Sequence, residues 1–360
     1  GGQLGRMLAL AGIPLGERFR FLEPAGDPPA AACGEIVAGA YDDPAALDRL
    51  AAGCTCVTYE FENVPAAAAE HLAACVPLFP PPLALATAQD RVREKQAFAQ
   101  HGLATAPWRQ IDDRAQFDAA LAALGLPCVL KTRRFGYDGK GQAWIRGAAD
   151  ADAAWRALGS APGGLILEGA VPFTRELSLI AVRGRDGAFA AYPLIENHHR
   201  DGIQRLSLAP APALNPALQA AAEAGIRPLM EALGYVGVLA VEFFAVGGTL
   251  IANEMAPRVH NSGHWSQDGA LCSQFEQHIR AVLGLPLGPT SVRGAAAMVN
   301  LVGAEPARAA ALAFPWARLH RYGKDARPGR KIGHLNVVAD DHAQLRERLD
   351  HLRAAIGWPD

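Results

Sequence analysis

Two glutamates enter otherwise apolar stretches of the chain, Val241-Glu242-Phe243-Phe244 and Ile251-Ala252-Asn253-Glu254. A buried carboxylate is costly unless paired or metal-bound, and two together repel unless a cation sits between them. The Gly247-Gly248 pair predicts a hairpin, whose register decides the chemistry. A two-residue turn sets Glu242 opposite Asn253 on one face. A three-residue loop or a bulge instead opposes Glu242 and Glu254. Only the second arrangement, or its equivalent, makes a joint cation site, and glutamates with amides favour magnesium over zinc. One outward-facing glutamate and one structural ion pair is the simpler alternative.

Gly136-Tyr137-Asp138-Gly139-Lys140-Gly141-Gln142 holds three glycines in six residues between two strand-like segments. Such a loop lets backbone N–H groups approach a ligand closely. Lys131 ends the preceding strand, with Arg133 and Arg134 nearby. Backbone donors plus a cation are what a phosphate requires; a solvated basic hairpin is the alternative. The loop is neither G-x-x-x-x-G-K-[ST] nor a strand-to-helix G-x-G-x-x-G.

Three further segments carry polar chemistry. Ala256-Pro257-Arg258-Val259-His260-Asn261-Ser262-Gly263-His264-Trp265 crowds an arginine, two histidines and an asparagine directly after the acidic strand. Beside two metal carboxylates that set suits a small oxyacid. Leu165-Ile166-Leu167-Glu168 is an apolar strand ending in a carboxylate, with Glu176 eight residues on; such a strand end suits a nucleotide's base or ribose but carries no weight by itself. Arg318, Arg321, Lys324, Arg327, Arg330 and Lys331 face one acid, Asp325, over 318–331. They read as a solvated loop or as cations presented to a phosphate.

The elements that must position these residues belong to a chain of 360, long enough for roughly two or three domains. Hydrophobic residues make up 50% and charged residues 19%, which argues against wholesale disorder. Lys plus Arg is 34 and Asp plus Glu 36, net −2, so bulk nucleic-acid binding and a polybasic membrane surface are not expected. Mean hydropathy is +0.06, and no uncharged apolar run is long enough for a transmembrane span. Six cysteines without a C-x-x-C spacing read as buried free thiols in a reducing cytoplasm, and no signal peptide opens the chain.

Gly1-Gly2-Gln3-Leu4-Gly5 reads as a glycine turn feeding a helix with a Leu4, Met7, Leu8, Ala11 stripe. Such a turn normally follows a buried strand, so the first strand of a parallel sheet is expected to be missing. Strands are predicted at 18–23, 35–37 and 54–61, with Asp43-Pro44 starting a helix. This βα alternation gives a Rossmann-like α/β unit over 1–100. Next come a helix at 87–101, closed by Gly102, and a mixed unit over 101–173. The latter has helices at 113–124 and 148–158 and strands at 128–132, 142–146 and 164–168. From 174 to 360 the pattern is antiparallel: strands at 175–183 and 188–195, a helix at 215–233 and a hairpin at 236–246 and 249–254. Helices near 271–283 and 341–355 complete the α+β part.

Taken together, G-Y-D-G-K-G-Q, the E…N-E pair, A-P-R-V-H-N-S-G-H-W and R-P-G-R-K-I-G-H-L-N resemble the 5-(carboxyamino)imidazole ribonucleotide synthase family of ATP-grasp enzymes. The resemblance runs over nearly the whole chain, although the sequence lacks that family's first strand and ends early, at Asp360. It implies a Rossmann-like N-terminal domain, an ATP-grasp lid and an antiparallel ATP-grasp core carrying the C-terminal substrate-phosphate region. ATP would bind through Arg91, Lys131, Gly136, Tyr137, Asp138, Gly139, Lys140, Gly141 and Gln142, with adenine on Glu168, Gly169, Ala170 and Val171. Glu176 would take the ribose, and His199, Asn253 and Glu254 would complete the ATP site. Magnesium, or manganese in its place, would sit on Glu242 and Glu254. Arg258, His260 and Asn261 would handle bicarbonate catalytically. Tyr137, Asp138, Lys140, Lys324, Arg330 and Lys331 would hold aminoimidazole ribonucleotide, joined by Glu60 or Glu62. The family also implies a cytoplasmic homodimer that binds neither nucleic acid nor membrane.

Other readings remain. The nucleotide motifs also suit a formate-dependent glycinamide ribonucleotide transformylase or a biotin carboxylase. A dinucleotide-binding oxidoreductase would use Gly1 to Gly5 with Glu23, and leaves the other motifs unexplained. An inactive remnant is a third.

Overall fold

The computed structural model describes residues 1–24, 26–134, 136 and 140–358. The N-terminal part runs α1 (Gln3–Gly12), β1 (Arg20–Glu23), β2 (Glu35–Ala38), α2 (Pro44–Ala51), α3 (Ala66–Cys75), α4 (Pro82–Ala88) and α5 (Arg91–Gln100). The middle part runs β3 (Trp108–Ile111), α6 (Arg114–Leu124), β4 (Cys128–Thr132), β5 (Gln142–Ile145), α7 (Ala148–Leu158) and β6 (Leu165–Gly169). Then follow β7 (Arg175–Arg183), β8 (Phe189–Ala191), β9 (Ile195–Arg200), β10 (Ile203–Ala209), α8 (Pro216–Ala232), β11 (Gly237–Val246) and β12 (Thr249–Ala256). The chain closes with α9 (Ser266–Gly269), α10 (Gln274–Leu283), β13 (Ala295–Val302), α11 (Arg308–Ala311), β14 (Ala317–Arg321), β15 (Lys331–Ala339) and α12 (His342–Ile356).

Among the described residues the strands form three sheets. β1 and β2 pair in parallel, and β3-β6-β4-β5 make an antiparallel sheet. The third has nine strands, in the order β12-β11-β7-β9-β10-β13-β15-β14 with β8 beside β7. One face of that large sheet is mainly apolar, interrupted where Glu196, opposite Leu177 and Leu208, pairs with Arg175. Leu177, Leu179, Leu239, Val241 and Phe243 pack with α8, and Val299, Leu335 and Val337 pack with α12. The other face is divided. Ile180, Val182, Val238 and Ala240 bury against α1 and α10, while directly paired positions nearer the site carry polar groups. Glu254 opposes Glu242, which opposes Ser178. Asn197 opposes Ser207, and Asn300 opposes His334. Opposed residues share a face, so the register draws a polar row across the sheet.

Several expectations are corrected. The strand expected over 54–61 is only an isolated bridge of Val57 to Leu78. Pro77 and Pro80 flank that bridge without N–H groups to extend a ladder. On its other side a cavity of about 980 Å³, lined by Phe19, Phe21, Thr58 and Tyr59, lies toward β1. The single helix expected over 87–101 is two, broken at Asp90, whose carboxylate caps α5 by accepting from Val92 N. The strand expected over 188–195 divides into β8 and β9 around Pro193. The helix expected from 271 starts at Gln274, with Ser273 as its N-cap. All six cysteines are unpaired, but only Cys128 and Cys272 are buried and Cys75 is exposed. No helix among the described residues is long and apolar enough to cross a membrane.

Candidate active site

The β11–β12 hairpin resolves its own ambiguity by combining two devices. Its turn is the two-residue Gly247-Gly248, both at positive φ (54° and 83°), and Val246 pairs with Thr249. A bulge then shifts the register between Glu242 and Phe243, so that Asn253 is the extra residue and Glu242 opposes Glu254. Burial first, then the facing Glu254, pushes the Glu242 carboxyl up. Burial would also raise Glu254, but Arg91 and Lys131 outweigh it and hold that carboxyl down. Arg91 Nη1 lies 3.0 Å from Glu254 Oε2, and His260 Nε2 lies 3.3 Å from Glu242 Oε1.

Lys131, at the inner end of β4, lies 3.0 Å from Glu168 Oε2. Lys95 of α5, fully buried, reaches the same oxygen at 3.4 Å. Burial alone would raise Glu168, yet Lys131, Lys95 and Arg91 hold it at about 2. Its other oxygen, Oε1, is buried with no hydrogen-bond partner among the described residues. Sequence reading missed Lys95. A charged residue on a polar helix looks solvated, and only the packing of α5 buries it.

The described ends of the glycine loop lie against these cations. Thr132 N donates to Gly141 O at 2.8 Å, and Gln142 opposes Lys131. A Cβ on Gly136 would stand 3.5 Å from Arg91 Nη2, so this backbone approaches the guanidinium closely. Tyr137, Asp138 and Gly139 lie outside the described residues, and Lys140 is exposed beside them. At the end of β6, Gly169 N and Ala170 N donate to Pro107 O and Pro127 O. These bonds tie the connector of Gly169, Ala170 and Val171 to the small sheet. Glu176 Oε2 lies 3.0 Å from His199 Nδ1. Burial would lower that imidazole, but Glu176 and Glu242 raise it.

The segment after β12 is built as one polar unit. Arg258 donates from Nε and Nη2 to the two oxygens of Glu62, the second bond being 2.7 Å. Burial opposes the ionised Glu62, yet Arg258 holds it at about 2. Backbone N–H of Ser262 donates to His260 Nδ1, so that nitrogen is an acceptor and the ring proton of the neutral form sits on Nε2, toward Glu242. Burial and Arg258 lower His260 to about 3. Asn261 exchanges amide bonds with Asn300, 3.1 and 2.5 Å.

Of the C-terminal cations, Lys324 donates to Gln3 Oε1 at the start of α1, and burial with Arg330 lowers its ammonium. Arg330 donates to Asp325 O at 3.3 Å, and Lys331 opens β15. The two glutamates left undecided from sequence have separate places. Glu60 accepts from Gly2 N at 2.5 Å, whereas Glu62 serves Arg258. Glu23 lies 3.2 Å from the Gly1 amino group.

Comparison with known proteins places this geometry in a wider set. Residues 1–89 match the ribonucleotide synthetase preATP-grasp domain, 96–275 the ATP-grasp domain, and 296–348 the phosphoribosylaminoimidazole carboxylase C-terminal domain. The chain is 51% identical over 356 residues to N5-carboxyaminoimidazole ribonucleotide synthase of Pseudomonas aeruginosa, covering 99% of this chain and 98% of the relative. The crystal structure of N5-carboxyaminoimidazole ribonucleotide synthetase from Thermus thermophilus superposes with a TM-score of 0.95. It is 54% identical and covers 99% of this chain and 97% of its own. N5-carboxyaminoimidazole synthase of Aspergillus clavatus, solved with ADP and 5-aminoimidazole ribonucleotide, gives a TM-score of 0.90 at 32% identity. That match covers 99% of this chain and 96% of its own.

Proposed function

We infer the reaction from a premise the comparisons supply, that this chain belongs to the N5-carboxyaminoimidazole ribonucleotide synthases of the ATP-grasp superfamily. It is an ATP-dependent carbon–nitrogen ligase of purine biosynthesis, carboxylating 5-aminoimidazole ribonucleotide with bicarbonate and releasing ADP and phosphate. The observation that carries this reading is the opposition of Glu242 and Glu254 beside Arg91 and Lys131. It sets cation-binding oxygens next to phosphate-binding cations.

The donor set fits magnesium. Two facing carboxylates, one pushed up by burial and its neighbour, lose that penalty when a hard divalent cation lies between them. Manganese, also an oxygen-seeking dication, would suit the same pair. Glu242 and Glu254 would hold the metal, which would supply positive charge to offset that of the ATP phosphates.

The chain's own residues supply the rest. Arg91 and Lys131, with the backbone of 136–142, hold the phosphates. The free Oε1 of Glu168 is the kind of acceptor that an exocyclic amine satisfies, with Gly169 to Val171 beside the base and Glu176 and His199 at the ribose. Arg258, His260 Nε2–H and Asn261 orient bicarbonate. One of its oxygens attacks the γ-phosphorus in line while the bond to ADP breaks, giving carboxyphosphate. The exocyclic amine of the ribonucleotide then takes the carboxyl group, and phosphate leaves. Tyr137, Asp138, Lys140, Lys324, Arg330 and Lys331 hold that ribonucleotide. The unit at 101–173 covers the site, because carboxyphosphate must be kept from water. A cytoplasmic homodimer belongs to the same reading, and light scattering tests the dimer.

The decisive experiment measures ADP release in bicarbonate buffer with and without aminoimidazole ribonucleotide. Stimulation by the ribonucleotide supports the assignment, and its absence in active, ATP-binding protein overturns it.

A further inference from the structure

Helix α5 turns three charged side chains, at positions i, i+3 and i+4, toward edge strand β12. Each engages one of three consecutive strand residues. Lys95 Nζ donates to Asn253 O at 3.4 Å. Arg91 Nη1 donates to Glu254 Oε2 at 3.0 Å. Glu94 Oε1 accepts from Met255 N at 2.7 Å. Residues at this spacing share one helix face.

Glu94 stands apart among the three. It is 2% exposed, and the reaction proposed above uses neither its charge nor its proton. Its partner is a backbone N–H on the outer side of β12. That strand ends the sheet, with β11 on one side and, among the described residues, only an isolated bridge from Ala252 to Thr105 on the other. An edge N–H buried there would go unsatisfied without an acceptor. The bond falls immediately after the bulge that brings Glu254 opposite Glu242. It therefore fixes the backbone on the far side of Glu254 while Lys95 holds the carbonyl of the bulged Asn253.

We propose that Glu94 is a positioning residue for the metal-binding carboxylate. By accepting from Met255 N–H, it locks the bulged segment of β12 so that Glu254 is presented toward Glu242 and the phosphate site. The proposal rests on the functional reading above. Groups that orient ligands behind a metal site change metal affinity by about 10–100-fold when removed.

The test compares Glu94→Met, which keeps volume but removes the acceptor, with Glu94→Gln, which keeps an acceptor oxygen. Full-length protein is assayed with ATP, bicarbonate and aminoimidazole ribonucleotide while magnesium is varied, and Mn²⁺ binding is followed separately by electron paramagnetic resonance. In Glu94→Met, half-saturating magnesium and the Mn²⁺ dissociation constant both rise about tenfold or more. The KM for the ribonucleotide stays within about twofold, and Glu94→Gln recovers most of the metal affinity. Hydrogen exchange over 250–256 accelerates in Glu94→Met and not in Glu94→Gln. Unchanged Mn²⁺ affinity in a folded Glu94→Met overturns the proposal, as does a Glu94→Gln variant as impaired as Glu94→Met. If Glu94→Met does not fold, wild-type-like metal affinity in Glu94→Ser decides against it. Wild-type protein that binds Mn²⁺ and ATP but ignores the ribonucleotide overturns the functional reading alone, because the Mn²⁺ and exchange measurements still stand.

Discussion

Glu62 and Arg258 lie 196 positions apart and meet as a two-point ion pair, Nη2 standing 2.7 Å from Oε1. The pair ties the N-terminal part to the loop that follows β12. It also holds Arg258, one of the residues proposed to orient bicarbonate, in place before any substrate arrives.

This pair makes stability depend on acid. Glu62 in the fold titrates at about 2, below its ordinary 4.5. Its contribution is therefore complete above about pH 4.5 and is lost as pH falls toward 2. Chemical denaturation at pH 6 and pH 3 should show wild type losing on the order of 2 kcal/mol more than Glu62→Gln across that window. Equal losses would remove the pair from the stability account.

Glu254→Gln keeps the shape of β12 and removes one of two opposed carboxylates. Turnover should fall by roughly two to four orders of magnitude, with half-saturating magnesium raised. Steady-state kinetics over a magnesium series checks this. Wild-type turnover at saturating magnesium would end the metal assignment.

Glu168 is the shared carboxylate partner of Lys131 and the fully buried Lys95. Glu168→Leu leaves Lys131 without its carboxylate and the buried Lys95 with only the Asn253 carbonyl, and should cost about 3 kcal/mol of unfolding free energy. Urea titration reads the loss directly. A cost below about 1 kcal/mol would mean the lysines find water or other partners.

Gly263 has no room for a side chain, since a Cβ there would stand 2.5 Å from Gln274 Oε1. Gln274 accepts from His260 N at 2.9 Å and donates to His260 O at 2.7 Å. Gly263→Ala must displace that amide, and His260 with it. Turnover should drop between about 10- and 100-fold with little change in the KM for ATP, because the residues proposed to hold the nucleotide lie elsewhere.

Much of the site was legible because its residue types are unusual for where they stand. Glutamates in apolar strands and a glycine-dense loop beside Lys131 announce themselves. The Gly247-Gly248 turn could be read as well. The bulge at Asn253 could not, since it depends on a helix 158 positions away whose Lys95 takes the freed carbonyl. Glu94 and Lys95 looked like solvated helix charges for the same reason. The alternation over 54–61 suggested a strand, yet a ladder needs neighbours as well as a pattern, and prolines deny it one. The break at Asp90 was hidden because α4 and α5 are both good helices. Only the cap distinguishes two helices from one.

Arg91 with Glu254, Lys131 with Glu168, and His199 with Glu176 each stand 3.0 Å apart. Such pairing turns most of these charges into short-range dipoles, leaving an excess cation where Lys95 and Lys131 share Glu168, so nucleotide association should respond to salt less than the number of cations alone suggests. On the proposed assignment, binding in this cleft is an exchange of partners. An anion that takes Arg91 releases Glu254 to a cation, and a cation that takes Glu254 releases Arg91 to an anion. The two arrivals are thermodynamically linked through one ion pair, and each raises the affinity for the other by the same factor.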